Sequence, residues 1–168
     1  MKNQDSTVPG DPTNPLDPAI RCIYNYFMQL PPLVCACANL RRATRAVTQI
    51  YEEEFRPSKL RITQFSILKA LSTVPEARQG GLAYAMGLDS TTLTRTLALL
   101  RRQGYVGVQH GRDRRERILT LTDKGRLKVE QLTPHWERAQ KRVREAMGKE
   151  YDQLQGLLHQ LTCVVGTD

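Results

Sequence analysis

Ser90, Thr91, Thr92, Thr94 and Arg95 gather four hydroxyls and a guanidinium in one short run. Short polar side chains and an Arg are the groups that read base edges in a DNA groove. Further along, Gly111-Arg112-Asp113-Arg114-Arg115-Glu116-Arg117 crowds four arginines into one loop. On an ordinary surface such a loop repels itself. Beside a phosphate backbone the charges are neutralised, and one Arg is free to enter the narrow minor groove. Asp113 is placed to hold Arg115 through a bidentate pair. The chain as a whole leans the same way: 168 residues, net charge +8 and a pI of about 9.6. A basic excess of this size suits a polyanionic partner, because each Lys or Arg set on a phosphate releases counterions.

These two runs need elements to hold them. Leu82 to Met86 reads as a short helix ending at Gly87, and Asp89 as the N-cap of a helix from Ser90 to Gln103. Ala83 is small enough for a helix crossing, and Gly87 tolerates the left-handed turn. Leu82, Met86, Leu88, Leu93 and Leu97 are the apolar residues that lock two such helices together. That is a helix-turn-helix whose second helix presents Ser90, Thr91, Thr92, Thr94 and Arg95. Tyr105–Gln109 and the segment holding Ile118, Leu119 and Leu121 read as two strands, with the arginine-rich loop as their hairpin. A hairpin after the second helix is the wing of a winged helix.

The rest of the chain reads as helix. Residues 1–17, with Pro, Asn, Asp, Ser and Gly, are expected to be a flexible tail. A short helix is predicted from Pro18 to Leu30. A long one is predicted from Leu33 to about Phe55, with Leu33, Cys37, Leu40, Thr44, Val47 and Tyr51 on a narrow apolar stripe. Thr63 is placed to cap a helix through Ser72. Asp123 to about Val164 is strongly helical, divided at Gly148 and open to a kink at Pro134. The predicted fold class is mainly α with a small β-hairpin wing. With no secretory signal pattern and no long apolar run, a cytoplasmic protein is expected, with no membrane partner.

From Leu88 to Arg126, LDSTTLTRTLALLRRQGYV followed by GRDRRERILTLTDKGR resembles the MarR family of regulators. Asp113 and Arg115 of the wing, and Leu121, Thr122 and Gly125 after it, are the specific parts. The resemblance covers about residues 33 to 163. It implies a homodimer built by N- and C-terminal helices, residues 18–56 and 123–168, around a DNA-binding lobe at 57–122. It implies a pseudo-palindromic double-stranded DNA site, with the recognition helix in the major groove and the wing in the minor groove. It also implies a repressor released by a small ligand or an oxidant. Arg78-Gln79-Gly80-Gly81 departs from the family's usual cap and helix formers, so the first motif helix is expected to begin late.

Cys37, Arg45, Thr48 and Tyr51 match the spacing of the family's organic-hydroperoxide-sensing branch, in which a cysteine near the helix start is the peroxide-reactive thiol. A thiol in a first helical turn feels the positive end of the dipole, which favours the thiolate that peroxide attacks. That branch surrounds its cysteine with three tyrosines. Here Tyr51 matches, while Arg41 and Ile62 take the other two places. Tyr51 stands about 21 Å along the helix from Cys37, so it reaches only a partner subunit's cysteine. Arg41, one turn on, supplies a positive charge instead. Three readings of Cys37 stay open: redox sensing, inert packing as a small hydrophobe, and soft-metal binding. A ligand cavity, implied by the resemblance alone, has Tyr51, Phe65 and Leu68 as candidate lining, and a redox-insensitive regulator with a phenolic ligand is the alternative. His110, His135 and His159 lie far apart in no metal or catalytic motif, and no phosphate loop or nucleophile elbow is present. No enzyme, cofactor or metal is therefore expected. The remaining rival is a helical interaction scaffold with Trp136, more simply read as a dimer-core residue. Reversing a wing charge (Arg114→Glu) leaves a scaffold's function intact and costs a regulator its DNA affinity.

Overall fold

A computed structural model describes residues 35–111, 113 and 116–165. The predicted tail and the helix at Pro18–Leu30 lie outside them, as do Arg112, Arg114 and Arg115. The chain divides into two compact units, Met1–Ala46 and Val47–Asp168. Helix α1 (Ala36–Phe55) carries residues of both. In the first unit, Cys37, Leu40 and Thr44 of the predicted stripe are all exposed.

The second unit builds its core where α1 ends. Phe55 is fully buried against Phe65, with ring centroids 4.9 Å apart. Phe65 lies on α2 (Ile62–Leu71), together with buried Ile67, Leu68 and Leu71. Thr63 does not cap α2. Its first turn is satisfied from other directions: Gln64 Oε1 accepts from the Arg61 N–H (3.0 Å), and Glu52 Oε1 accepts from the Ile62 N–H (3.1 Å). A carboxylate from the preceding helix thus does the work expected of a local hydroxyl.

Next come β1 (Ala77–Arg78), α3 (Gln79–Ala85) and α4 (Ser90–Arg102). Helix α3 starts at Gln79 and runs through the glycine pair, earlier than predicted. Extended Arg78 feeds it, and side-chain room at Gly80 and Gly81 is open. Strands β2 (Val106–His110) and β3 (Arg117–Leu121) follow, then α5 (Asp123–Met147) and α6 (Tyr151–Val165). The sheet is antiparallel in the order β1-β3-β2, with Ala77 opposite Leu119 and His110 opposite Arg117. Two-residue β1 was not foreseen, because so short a segment carries no readable alternation.

Helix α5 continues through Pro134 and ends before Gly148, where the predicted division falls. Its residues Val129 and Leu132 join the core of α2 and α4. Trp136 packs against this same core, with Lys69 Nζ 5.9 Å from its ring. It is partly buried, packed against the margin of this unit's core.

An ionic cluster ties the end of α1 to α5. Arg142 reaches Glu53 (3.0 Å) and Glu54 (3.1 Å), and Arg138 reaches Glu54 (3.0 Å). His135 Nδ1 lies 2.8 Å from the Glu54 carbonyl oxygen. Burial pushes the Glu54 carboxyl up, but hydrogen bonds and charge from Arg138 and Arg142 outweigh it and hold the group below its usual 4.5. A carboxyl lowered in the fold adds stability above its unfolded value and loses it as pH falls through the folded value. Glu54→Gln is therefore expected to cost about 1 kcal/mol near neutral pH. Urea melts should show the two proteins converging as the pH falls below 4.5.

Candidate nucleic-acid interface

The turn between α3 and α4 is closed by the backbone. The Leu88 N–H donates to the Ala83 carbonyl (3.0 Å) and the Gly87 N–H to that of Tyr84 (3.1 Å). Gly87 has φ +59°, the left-handed value that favours glycine. Leu82, Leu93 and Leu97 are buried, while Met86 and Leu88 pack on the core at its margin. These apolar anchors fix which face of α4 turns outward.

The outward face begins at its cap. Asp89 accepts from the Thr92 hydroxyl (2.6 Å) and the Thr92 N–H (2.9 Å). Those two bonds hold its carboxyl below the usual range. Ser90, Thr91, Thr92, Thr94 and Arg95 are all exposed on the first turns of α4. Among them Thr92 is committed to the cap. Thr94 Oγ1 accepts from Gln79 Nε2 (2.9 Å), which fixes it from the start of α3.

The wing rises from the same region. The Gly111 N–H donates to the Glu116 carbonyl and the Glu116 N–H to that of Asp113, each at 2.9 Å. The Glu116 carboxylate holds Arg78 at 2.7 Å, joining the base of the wing to β1. Asp113 is exposed. Its predicted partner Arg115, with Arg112 and Arg114, is outside the described residues. An open cleft of about 610 Å³ lies between α3, α4 and the wing base, lined by Arg78, Gln79, Ser90, Thr94, Glu116 and Arg117. A second, of about 320 Å³, has Gln79, Thr94, Arg101, His110 and Arg117 among its lining.

Arg78, Gln79 and Glu116 were not among the predicted site residues, and Arg117 entered only as one of the four arginines of the loop. The contacts bringing them in join positions far apart in sequence, which no local pattern records. One signal was visible: polar Arg78 and Gln79 stand where helix formers were expected.

The predicted sensing residues fall elsewhere. Cys37 is exposed in the first turn of α1, and Arg41 is exposed one turn later. Cys35 is likewise an exposed free thiol. Tyr51 is half-buried, and burial, then the neighbouring Tyr151 phenol, push its hydroxyl pKa up. Phe65 and Leu68 are fully buried in the core and line neither cleft. Among the described residues no group of three or more His, Cys, Asp or Glu could hold a metal ion. No described helix is long and apolar enough to cross a membrane.

Residues 60–116 match the model of the MarR family. Among solved structures, the chain is similar to the M. tuberculosis transcriptional regulator MosR in complex with DNA. Identity is 36%, over 78% of this chain and 96% of that one, with a TM-score of 0.71. It is similar to Bordetella bronchiseptica BpsR, whose DNA binding is regulated by 6-hydroxynicotinic acid. There identity is 25%, over 79% of this chain and 98% of that one, with a TM-score of 0.70. Among curated sequences it is 27% identical to an uncharacterized HTH-type transcriptional regulator of Bacillus subtilis, YwoH, over 55% of this chain and 68% of that protein.

Proposed function

The chain belongs to the MarR family of transcriptional regulators, and on that premise we propose that it binds an operator in double-stranded DNA as a homodimer and represses until an effector releases it. The observation that carries this reading is the exposed start of α4. Ser90, Thr91, Thr94 and Arg95 face outward together, beside a groove whose other wall is the wing base. A helix N-terminus favours phosphate, and Arg95 provides the guanidinium that pairs with guanine O6 and N7. Arg117, with the arginines of the wing tip, supplies the phosphate and minor-groove charge.

Helix α6 supports the second copy. Leu157, Leu158, Leu161 and Val164 are exposed on a single helix. So many large apolar side chains in water favour an interface. A two-fold dimer matches the symmetry of a pseudo-palindromic site. The effector belongs to one of two classes. An oxidant acts at Cys37, which is accessible. A small aromatic acid is the class that regulates BpsR.

The test is an anisotropy titration of reduced protein onto duplex DNA from its own upstream region, at several salt concentrations, with sedimentation of the complex. Tight binding that weakens steeply with salt, at two chains per duplex, is expected. Binding absent at low salt would sink the reading. Repeating the titration with an organic hydroperoxide separates the effectors. Release that disappears in Cys37→Ser assigns the oxidant, and release by aromatic acids alone assigns the ligand.

A further inference from the structure

We propose that His159 and Cys163, on α6, form a two-ligand site for a soft divalent cation of the zinc type. The two residues are four apart, so a helix places them on one face, one turn above the other. Cys163 Sγ and His159 Nε2 lie 3.7 Å apart, and both side chains are exposed. That separation has a chemical meaning. With Zn–S near 2.3 Å and Zn–N near 2.0–2.1 Å, tetrahedral ligands sit about 3.6 Å from each other. The two donor atoms are therefore already at the bite distance of one ion, without a change of backbone.

The donor types agree with the distance. Thiolate and imidazole together select zinc-like ions over magnesium or calcium, which prefer oxygen. Cys163 does not stand alone, because the imidazole beside it is a second donor of different chemistry. Binding forms one Sγ–metal bond as the thiol proton leaves to solvent. It forms one Nε2–metal bond from the imidazole lone pair, with the ring proton kept on Nδ1. No electron is transferred. Water completes the coordination. In the sequence His159 matches none of the multi-ligand spacings of structural zinc sites. A two-ligand half-site on one helix turn has a far weaker signature.

The experiment uses the full-length reduced protein and Co²⁺ as the probe. A near-ultraviolet sulfur-to-cobalt charge-transfer band reports the thiolate ligand. We expect the band in the native chain and in Cys37→Ser, and its loss in Cys163→Ala. Removing either donor turns a chelate into a single contact, so cobalt affinity should fall on the order of a hundredfold in His159→Ala or Cys163→Ala. His159→Cys, which restores a soft donor at the same spacing, should recover it. Both positions are exposed, so helicity by circular dichroism should stay at the native level throughout. A band that persists in Cys163→Ala, or His159→Ala binding cobalt as tightly as the native chain, overturns the site. DNA binding is not part of the readout, so either result is independent of the regulator reading.

Discussion

Gly125→Ala is expected to lower stability by about 3 kcal/mol, the upper end of the usual cost of overpacking, because backbone must move to admit the methyl. For a chain of this length that is a fall in melting temperature of roughly 6–12 °C. A Cβ at Gly125 would collide with the Tyr105 carbonyl oxygen and lie 2.7 Å from Leu121 Cδ1. Neither can step aside cheaply. The Tyr105 carbonyl accepts from the Thr122 N–H (3.1 Å). Thr122 itself donates its hydroxyl to the Gly104 carbonyl (2.7 Å) and accepts from the Gly125 N–H (3.0 Å). Leu121 is buried beside Val106 across the sheet. One methyl therefore presses on the junction of α4, β2, β3 and α5 at once. Differential scanning calorimetry of the two proteins decides it. An unchanged melting temperature would mean that this junction is looser than its bonds imply.

On the proposed function, Arg95→Ala is expected to have the largest effect on binding. A side chain that pairs bidentately with a guanine contributes about 1–3 kcal/mol of discrimination, a roughly 5- to 150-fold loss of affinity for the operator. Binding to unrelated duplex should change far less, so the ratio of specific to non-specific affinity collapses. Arg117→Ala makes the informative partner. A phosphate contact weakens binding to all sequences alike and lowers the salt slope by about 1. Anisotropy titrations of both variants on operator and scrambled duplex, at several salt concentrations, distinguish base reading from charge. If Arg95→Ala kept its preference for the operator, α4 would not be the element that reads sequence.

Where a residue's role depends on near neighbours in the chain, the sequence was legible. Asp89 as a cap, Gly87 at the turn, Leu93 and Leu97 inward and the start of α4 all follow from spacings of a few residues. The threonine and glycine after the wing were recognisable as a motif, and the structure supplies the reason: Gly125 is where a helix start passes the Tyr105 carbonyl too closely for a side chain. What escaped depends on partners brought from a distance. Gln79 finds Thr94 across the turn, Arg78 finds Glu116 across the sheet, and Glu52 caps a helix ten residues away. Phe65 and Leu68 carried the opposite lesson. Their apolar type suits a ligand cavity as well as a core, and in this structure both are fully buried, Phe65 against Phe55.

The strand order β1-β3-β2 has a consequence for how such a protein changes over generations. The returning arm of the hairpin, β3, is paired on both sides, so the root of the wing is fixed relative to α4. Beyond the strands, the Gly111 N–H donates to the Glu116 carbonyl and the Glu116 N–H to that of Asp113, and lengthening a loop adds little closure entropy, about 0.6 kcal/mol for each doubling. On the proposed function, insertions or substitutions at the tip can therefore alter the reach of the wing without disturbing α4, the helix proposed to read sequence. Affinity and specificity can drift separately, each on its own part of the fold, and new operators can be explored without first unmaking the old scaffold.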